Sequence, residues 1–556
     1  MALFHSLPGG DSGLMQQLWA ILSGDDGRLL VYPVLVGAIV TTMFLLVATK
    51  RILFPTFDPR EPPKVQPTIP LVGHIISMLT QANDFYINIA KRTRGAPICT
   101  LPMLAGKMYV IYSPAMIQAA MRSKDLSFLP FAEHWSEDVV GIQKDHLALV
   151  MPHMERLSHD FWIGTSGDNL ARLNVAALRE LAAELNTVPA SSGIEGALRI
   201  PNLSVWIRRV ISLSTFRALF GKRNPLSEED AEDYSTFENN FAGLAIGGPL
   251  KRIIGRKAYD ARQRIQNKLL PYMLAGGDFD ESTSDLVRIR STEHEALGIP
   301  ASGRAKSEFL TPWVATLNTI PTLFWFFTEV FSRPQIVERL REEILASGVV
   351  TLEDGGQGKP RAASLDIADL ESRCPYLMAC YRETLRLYNE NVGNRMVLRD
   401  TVIQDPDQGG REYLLKAGTN VQWSAATTHK DPRVWGARPH DFNPDNFVDG
   451  GEQAKGGAKL TPEERAARRL CMIPFGGGKH LCPGRLFAQA ENLGFVAALA
   501  VGFELHGVRV PASVGAPLGA AARQPRWGAM DPSISISRRK GWENVDWRFT
   551  CAEHKT

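Results

Sequence analysis

The stretch FGGGKHLCPGRLFAQAE, from Phe475 to Glu491, places a glycine run, a histidine, one cysteine and a proline directly before an apolar, helix-like segment. Proline is favoured in the first turn of a helix, because the N–H that it lacks would have no partner there. Pro483 therefore predicts that a helix begins just after Cys482. Free amides and the positive end of the helix dipole favour a thiolate, so Cys482 is a candidate metal ligand or nucleophile.

The neighbours of Cys482 bear on its role. The run Gly476 to Gly478 permits a tight turn and lets the backbone approach a large flat group. A nucleophilic cysteine needs a nearby base, and His480 is the only local candidate. None of the six cysteines belongs to a C-x-x-C pair, which argues against a disulfide framework and a structural zinc site.

Composition limits the function classes. The 556 residues carry 62 basic and 59 acidic side chains, a formal net charge of +3, so no nucleic-acid partner is expected. Helical spacing of apolar residues, as in YLMACYRETLRLY, with short strand-like pieces such as GKMYVIY, predicts a mainly α fold with small β-sheets. Two glycine-rich polar stretches, 353–364 and 449–468, predict surface loops.

The N-terminal region predicts a membrane anchor. Residues 29–49 are uncharged and about as long as a bilayer-spanning helix, and Lys50 and Arg51 place the following chain on the cytosolic side. A cleaved signal peptide is the alternative, but the apolar run is too long for one and no small-residue cleavage site follows. Six prolines in 50–74 predict an extended hinge. The predicted organisation is a lumenal tail (1–28), the transmembrane anchor (29–49), the hinge (50–74) and one large catalytic domain (75–556).

The cysteine stretch also fits a longer pattern, F-x-x-G-x-R/H-x-C-x-G, whose fixed positions are filled by Phe475, Gly478, His480, Cys482 and Gly484. This pattern is the haem-binding loop of the cytochrome P450 family, which the chain closely resembles. The resemblance implies the cytochrome P450 fold and haem b, with Cys482 as the axial ligand of the iron, His480 contacting a propionate and Phe475 packed beside the sulfur. Thiolate ligation of haem favours O–O cleavage. The family also implies NADPH and flavin acting through a separate cytochrome P450 reductase, with cytochrome b5 as a further partner.

Upstream segments fit the same resemblance. ETLR places Glu383 and Arg386 on one helix face, where they can pair as the family's buried E-x-x-R motif does. In FNPDNF, Asn446 stands where the family has an arginine, so the ionic triad becomes a hydrogen-bonded one. In NRMVLRD, Arg395 stands at the family's propionate-binding position.

The helix expected over the haem departs from the common family pattern. Most members place an acid and a threonine there for proton transfer, whereas this chain has Leu317 and Asn318, followed by Thr319. Pro321 has no N–H for the Leu317 carbonyl, which predicts a kink. The freed carbonyl and the Asn318 amide could then hold water or orient an oxygen ligand. Asn318 and Thr319 are therefore the candidate catalytic residues for proton delivery.

The spacing W-x-x-x-x-N-x-x-P-x-x-F-W, from Trp313 to Trp325, is most similar to the branch of sterol and oxysterol 7α-hydroxylases, sterol 12α-hydroxylase and prostacyclin synthase. The resemblance implies a monooxygenase of the endoplasmic reticulum membrane that oxidises a lipophilic small molecule, such as a sterol, a terpenoid or another specialised metabolite. Because the branch includes an isomerase, a peroxide-rearranging enzyme that needs no reductase is the alternative. A haem- or sterol-binding protein without turnover is a third interpretation, against which the complete cysteine loop argues. The mixed apolar and basic segment 237–265 predicts contact with membrane lipid, although a solvated basic helix fits equally well.

Overall fold

The computed structural model describes residues 57–67, 73–103, 106–245, 251–354, 361–448, 460–516, 519–526 and 533–551, with a short helical piece at 37 and 39–43. The predicted lumenal tail lies outside these residues, and so does most of the predicted anchor. In this described part of the chain, no helix is long and apolar enough to cross a membrane.

Helices make up most of the described chain, as the apolar spacing predicts. Those of eight residues or more are Asp84–Arg92, Pro114–Arg122, Met154–Gly164, Gly167–Asn186, Leu203–Phe220, Glu228–Asn240, Arg256–Leu274, Asp285–Ala296, Ala301–Glu308, Thr319–Phe331, Pro334–Ser347, Pro375–Tyr388, Pro462–Cys471 and Arg485–Gly502. The shorter ones are Ile75–Gln81, Leu129–Trp135, Lys144–Val150, Ala242–Ala245, Lys251–Ile254, Leu310–Thr316, Leu370–Arg373, Ala425–His429 and Pro432–Trp435.

The strands form small sheets at the edges of the helical body. In chain order they are β1 Ile98–Met103, β2 Gly106–Ile111, β3 Leu126–Ser127, β4 Leu198–Ile200, β5 Val350–Glu353, β6 Arg361–Asp366, β7 Val392–Val397, β8 Thr401–Asp405, β9 Arg411–Leu415, β10 Asn420–Ser424, β11 Phe503–His506, β12 Ser513–Val514, β13 Gln524–Pro525, β14 Ile534–Arg538 and β15 Val545–Thr550. The largest sheet has the order β1-β2-β10-β7-β3. In it β10 runs parallel to β2 and antiparallel to β7, which sets Arg395 beside Val421.

The Arg485–Gly502 helix lies at the centre of the molecule. Every residue from Glu491 to Gly502 is buried, because the helix is apolar around most of its circumference. It packs against the Gly167–Asn186, Thr319–Phe331 and Pro334–Ser347 helices. The cysteine loop precedes this helix directly, so the loop is attached to the most buried element of the fold.

The helix predicted to carry Asn318 is divided where Pro321 predicts a disturbance. The segments Ala301–Glu308, Leu310–Thr316 and Thr319–Phe331, together called the distal helix here, follow one another, and the helical pattern is interrupted at Leu317 and Asn318. The Leu317 carbonyl lies four residues before a residue without an N–H, so it lacks its ordinary helical partner.

Two stretches predicted as surface loops contain regular structure. Arg361–Asp366 is β6, the central strand between β5 and β15, and Ala362 and Ala363 in it are buried. Pro462–Cys471 is a helix whose first turn is closed by a capping box between Thr461 and Glu464. Both stretches were predicted as loops because of their glycine and lysine content. The pattern T-P-E-E is nevertheless typical of a helix start.

The described part of the predicted hinge, 57–67, lies against the largest sheet. The Val65 N–H donates to the Thr100 carbonyl, and the Thr100 N–H donates to the Pro63 carbonyl, both at 2.9 Å. Buried Glu61 accepts hydrogen bonds from Lys107 Nζ at 2.6 Å and from the Tyr109 hydroxyl at 2.7 Å. Contacts with the folded domain therefore begin before residue 75.

Candidate active site

A cavity of about 550 Å³ lies between the cysteine loop and the distal helix. The cysteine loop contributes Phe475, Gly476, His480, Cys482, Pro483 and Gly484, and the distal helix contributes Leu310, Thr311, Val314, Ala315, Asn318, Thr319 and Thr322. The lining is mainly apolar, and among its described residues Arg395 is the only aspartate, glutamate, lysine or arginine. A cavity of this kind favours an uncharged, apolar ligand.

The cysteine loop is closed by backbone hydrogen bonds. The Cys482 N–H donates to the Phe475 carbonyl at 3.0 Å, and the Arg485 guanidinium donates to the Cys482 carbonyl at 3.1 Å. Gly478 has a φ of +61°, and a Cβ there would lie 2.3 Å from the Met121 carbonyl oxygen. Gly478 therefore packs the loop against the Pro114–Arg122 helix and does not line the cavity.

The environment of the Cys482 sulfur is mixed. Burial raises the pKa of the Cys482 thiol, while the backbone N–H groups of Gly484 and Arg485 and the Arg485 charge lower it. The predicted helix is present and begins at Arg485, but burial outweighs its effect on the thiol. Burial therefore favours the protonated thiol, whereas the charge of a bound metal cation would favour the thiolate.

Arg395 and His480 line the cavity without an acidic partner in the described part of the chain. Arg395 is 6% exposed, its Nη1 donates to the Asn394 carbonyl at 2.7 Å, and burial lowers its pKa to about 10. The buried Nε2 of His480 has no hydrogen-bond partner, and burial, with Arg395 nearby, lowers the His480 pKa to about 4. A histidine with so low a pKa is a weak base, which argues against the nucleophile interpretation of Cys482.

These residues fit a haem group. A buried guanidinium without a counter-ion is costly, and the propionates of haem are anions that Arg395 and His480 could bind. Gly484 also lines the cavity, and apart from its two neighbours in the chain no atom of the described residues lies within 4 Å of a Cβ built there. That open space beside Cys482 suits a flat group bound at the sulfur.

The predicted E-x-x-R pair is present and completely buried, with both side chains 0% exposed. Nε and Nη2 of Arg386 donate to the two carboxylate oxygens of Glu383, each at 2.7 Å. Asn446 Nδ2 donates to Glu383 Oε1 at 3.1 Å, and the Asn443 N–H donates to the same oxygen at 2.9 Å. The group is therefore an ion pair completed by hydrogen bonds, with no arginine at position 446.

His429 connects this ion pair to the cysteine loop. Arg386 Nη1 donates to the His429 carbonyl at 2.9 Å, and the His429 ring bridges the Asn389 carbonyl (3.1 Å from Nδ1) and the Ile473 N–H (3.0 Å from Nε2). Because the Asn389 carbonyl can only accept, Nδ1 must carry the proton and Nε2 must be the acceptor. The bridge ends two residues before Phe475, where the cysteine loop begins.

Sequence reasoning missed Arg468, which lies on the Pro462–Cys471 helix. Its Nη1 donates to the Asn446 carbonyl at 2.8 Å, and its guanidinium lies 5.3 Å from the Trp435 ring centroid. Arg386 lies 5.0 Å from the centroid of the same ring. Burial is the largest effect on the Arg468 pKa and lowers it, while the negative charge of Glu383 acts in the opposite direction. A second cation thus reaches the Glu383 group from a segment predicted to be a loop.

Asn318 and Thr319 both line the cavity, opposite the cysteine loop. The Thr319 hydroxyl donates to the Ala315 carbonyl at 2.7 Å. Asn318 Oδ1 accepts hydrogen bonds from the N–H groups of Ala521 at 2.8 Å and Ala522 at 3.3 Å. Cys482, His480, Arg395, Phe475 and Gly484 are brought together with them in the lining, whereas Glu383, Arg386 and Asn446 lie outside it.

Comparisons with known proteins agree with this geometry. The chain is 33% identical over 544 residues to a cytochrome P450 monooxygenase of Gibberella zeae, covering 96% of this chain and 99% of that protein. It is 25% identical to cytochrome P450 7A1 of Rattus norvegicus, over 63% of this chain and 69% of that protein. The solved structure of retinoic acid bound cyanobacterial CYP120A1 matches with a TM-score of 0.61 and 16% identity, over 86% of this chain and 99% of that one, which shows the shared fold. A family model described as cytochrome P450 matches residues 313–516.

The chain therefore belongs to the cytochrome P450 family. The predicted fold, mainly helical with small sheets, and the predicted class of enzyme, an oxidoreductase of the monooxygenase type, are confirmed. The similarity to cytochrome P450 7A1, together with that to a cholesterol 7-alpha-monooxygenase of Cricetulus griseus, agrees with the predicted sterol hydroxylase branch.

We expect Arg468→Ala to lower the free energy of unfolding by about 1–2 kcal/mol, because it removes a hydrogen bond to Asn446 and a cation–π contact with Trp435. Arg469→Ala is the matched control, since Arg469 is exposed on the same helix. The unfolding free energies of both variants are measured by urea denaturation followed by circular dichroism. Equal stability of the two variants would contradict a role for Arg468 in the Glu383 group.

We expect His429 to make the folded protein less stable in acid, because burial lowers the His429 pKa from 6.5 to about 3. Below pH 6.5 the unfolded chain binds a proton at this ring that the folded chain does not. Stability is therefore full above pH 6.5 and is lost as the pH falls towards 3, with a cost of about 2 kcal/mol at pH 5.

The non-titrating variant His429→Gln tests this expectation, measured as unfolding free energy from pH 8 to pH 5. We expect His429→Gln to be less stable than wild type at pH 8 but to depend less on pH. Buried His294, with its pKa lowered to about 4, contributes equally to both proteins, so the difference between them reports His429. The same pH dependence in both proteins would refute the assignment.

Proposed function

We propose that the protein is a membrane-anchored monooxygenase that inserts oxygen from O₂ into an uncharged lipophilic small molecule of the sterol or terpenoid class. The observation that carries the proposal is the apolar cavity, bounded by Cys482 on one side and by Asn318 and Thr319 on the other. When bound, a haem held by Cys482, Arg395 and His480 supplies oxygen activation by thiolate-ligated iron.

The cavity lining supports the substrate class. In the described part of the lining, Arg395 is the only aspartate, glutamate, lysine or arginine, and a bound haem would neutralise it. The remaining lining includes apolar side chains such as Leu310, Val314 and Phe487. Binding a hydrocarbon skeleton against them removes apolar surface from water, which makes the binding free energy more favourable. A charged substrate would find no counter-ion there.

The proposal includes residues 29–49 as an endoplasmic-reticulum anchor, with the catalytic domain from residue 75 in the cytosol and electrons from NADPH through a flavin-containing reductase, assisted by cytochrome b5. The exposed Ile253 and Ile254, 73% and 59% accessible, support contact of the 237–265 segment with lipid. Lipophilic substrates concentrate in the bilayer, so an enzyme held there meets them at higher local concentration.

Asn318 and Thr319 would hold a water molecule that delivers protons. The Thr319 hydroxyl uses its proton on the Ala315 carbonyl, so its lone pairs remain to accept. The oxygen of Asn318 is occupied by two backbone N–H groups, so the amide nitrogen of Asn318 remains to donate. A donor and an acceptor on neighbouring residues can together orient one water.

The test of the proposed function is the carbon monoxide difference spectrum of the reduced, detergent-purified protein beside that of Cys482→Ala. We expect a thiolate-type Soret shift in the wild type and its loss in the variant, because the sulfur is the only ligand from the cysteine loop that reaches the cavity as a soft donor. A folded wild-type protein without that shift would overturn the haem-thiolate assignment.

Lipophilic sterols and terpenoids are then incubated with and without NADPH and reductase. Oxygenated product that depends on both supports the monooxygenase. Rearrangement of a peroxide substrate without either would replace the proposal by the isomerase alternative.

Asn318→Ala tests proton delivery. We expect less product for each NADPH consumed, because the donor that orients the water is gone, with the reductant diverted to reduced oxygen species. Product, NADPH and hydrogen peroxide are measured together in the reconstituted enzyme. Coupling equal to wild type would remove Asn318 from the proton path.

A further inference from the structure

The segment Gly519–Arg523, called the wall segment here, lies between the distal helix and the end of the Pro375–Tyr388 helix. Its central residue Ala521 lines the cavity. On the Pro375–Tyr388 side, the Glu390 N–H donates to the Ala521 carbonyl at 2.6 Å, and the Arg523 N–H donates to the Tyr388 carbonyl at 2.8 Å. Among the residues that the structure describes, the wall segment thus has regular backbone contacts on one side only.

On its other side the wall segment depends on side chains of the distal helix. Asn318 Oδ1 accepts from both Ala521 and Ala522, and Trp325 Nε1 donates to the Arg523 carbonyl at 2.8 Å. Two backbone N–H groups face Asn318, so the atom that meets them must be its oxygen. The side chains of Asn318 and Trp325 replace the strand partner that the wall segment lacks here.

The first residue of the W-x-x-x-x-N-x-x-P-x-x-F-W spacing, Trp313, is linked to the wall segment only indirectly, through Phe241. Trp313 packs edge-on against Phe241 with ring centroids 5.6 Å apart. A Cβ on Gly519 would lie 2.8 Å from the Phe241 ring and 2.6 Å from that of Trp135, and Gly519 has a φ of +79°. Asn318 and Trp325 therefore contact the wall segment directly, at Ala521–Ala522 and at Arg523, whereas Trp313 packs against Phe241, which lies beside Gly519.

Pro321 removes one of the two backbone N–H groups that would otherwise compete for the Asn318 oxygen. Asn318 precedes the first residue of the Thr319–Phe331 helix, and an asparagine there ordinarily accepts from an N–H two or three residues ahead. The second residue, Ile320, has an N–H, but the third, Pro321, has none, and the Asn318 side chain makes no capping hydrogen bond to either. The oxygen is left to accept from Ala521 and Ala522.

We propose that Asn318 is a positioning residue whose side-chain oxygen holds the wall segment against the distal helix and so fixes the shape of the substrate cavity at Ala521. The role is separate from proton delivery, because it uses Oδ1 and not the amide nitrogen. It concerns the cavity wall, so it does not depend on which reaction the enzyme performs. Asn318→Asp keeps an oxygen acceptor at this position, whereas Asn318→Ala and Asn318→Ser remove it or shorten it out of reach.

Amide hydrogen exchange of the purified full-length protein, resolved to the Ala521 and Ala522 amides, tests the contact. We expect exchange at both amides to rise about tenfold or more in Asn318→Ala and Asn318→Ser, and to stay within about threefold of wild type in Asn318→Asp. Rates are taken relative to the amide of Arg523, whose acceptor is the Tyr388 carbonyl. Thr319→Val is the matched control, because its hydroxyl bonds within its own helix.

Unchanged relative exchange in Asn318→Ala would overturn the proposal, and so would an equal rise in Thr319→Val. If Asn318→Ala does not fold, Asn318→Ser takes its place in the comparison, because serine keeps a polar side chain but is too short to reach the two amides. The exchange measurement needs no turnover, so it remains decisive if the carbon monoxide experiment fails.

The effect on cavity shape is measured with two azole ligands, 1-phenylimidazole and the bulkier 1-tritylimidazole, titrated spectrally into the haem-loaded protein. We expect the ratio of their dissociation constants to change about threefold or more in Asn318→Ala and to be restored in Asn318→Asp. A loss of protection at Ala521 without a change in this ratio would show that the contact does not shape the cavity, and would overturn the positioning role.

Discussion

The buried pair of Glu383 and Arg386 is the interaction on which the site depends. Both side chains are 0% exposed, so each charge has lost its hydration and must be compensated by the protein. Arg386 also donates to the carbonyls of His429, Pro439 and Asp441, which places donors and acceptors around the pair. Removing one partner of such a pair costs about 3–5 kcal/mol, because the other charge remains buried alone.

The pair matters for chemistry because it is connected to the cysteine loop. The His429 carbonyl accepts a hydrogen bond from Arg386, and the His429 ring accepts one from the Ile473 N–H. These two bonds fix the start of the loop relative to the buried charges. Arg395 and His480 are different, since they have no anionic partner in the described residues. Groups that satisfy one another maintain the fold, whereas groups left unsatisfied beside a cavity indicate what the cavity binds. The contrast separates the supporting network from the cofactor-binding groups.

The sequence predicted the structure well where short-range patterns determine it. Helical spacing, the Pro483 helix start and the E-x-x-R spacing each depend on short-range geometry, and all three are present in the structure. Arg468 and strand β6 were missed because their roles come from contacts with residues far away in the chain. The two hydrogen bonds that Asn318 accepts join residues about two hundred positions apart, a separation that no local pattern encodes. The predicted anchor lies almost wholly outside the described residues and remains a prediction.

The departure of the distal helix from the common family pattern has a physical consequence. A threonine hydroxyl on a helix tends to bond the carbonyl four residues earlier, as Thr319 does with Ala315, and so it rarely reaches another segment. An asparagine is longer and has separate donor and acceptor atoms, so its oxygen can hold the wall segment while its nitrogen remains available to donate. Pro321 contributes by removing one of the two backbone N–H groups that would otherwise compete for the oxygen. Asn318 thereby serves the cavity wall through its oxygen, a contact that a threonine bonded back to its own helix does not make.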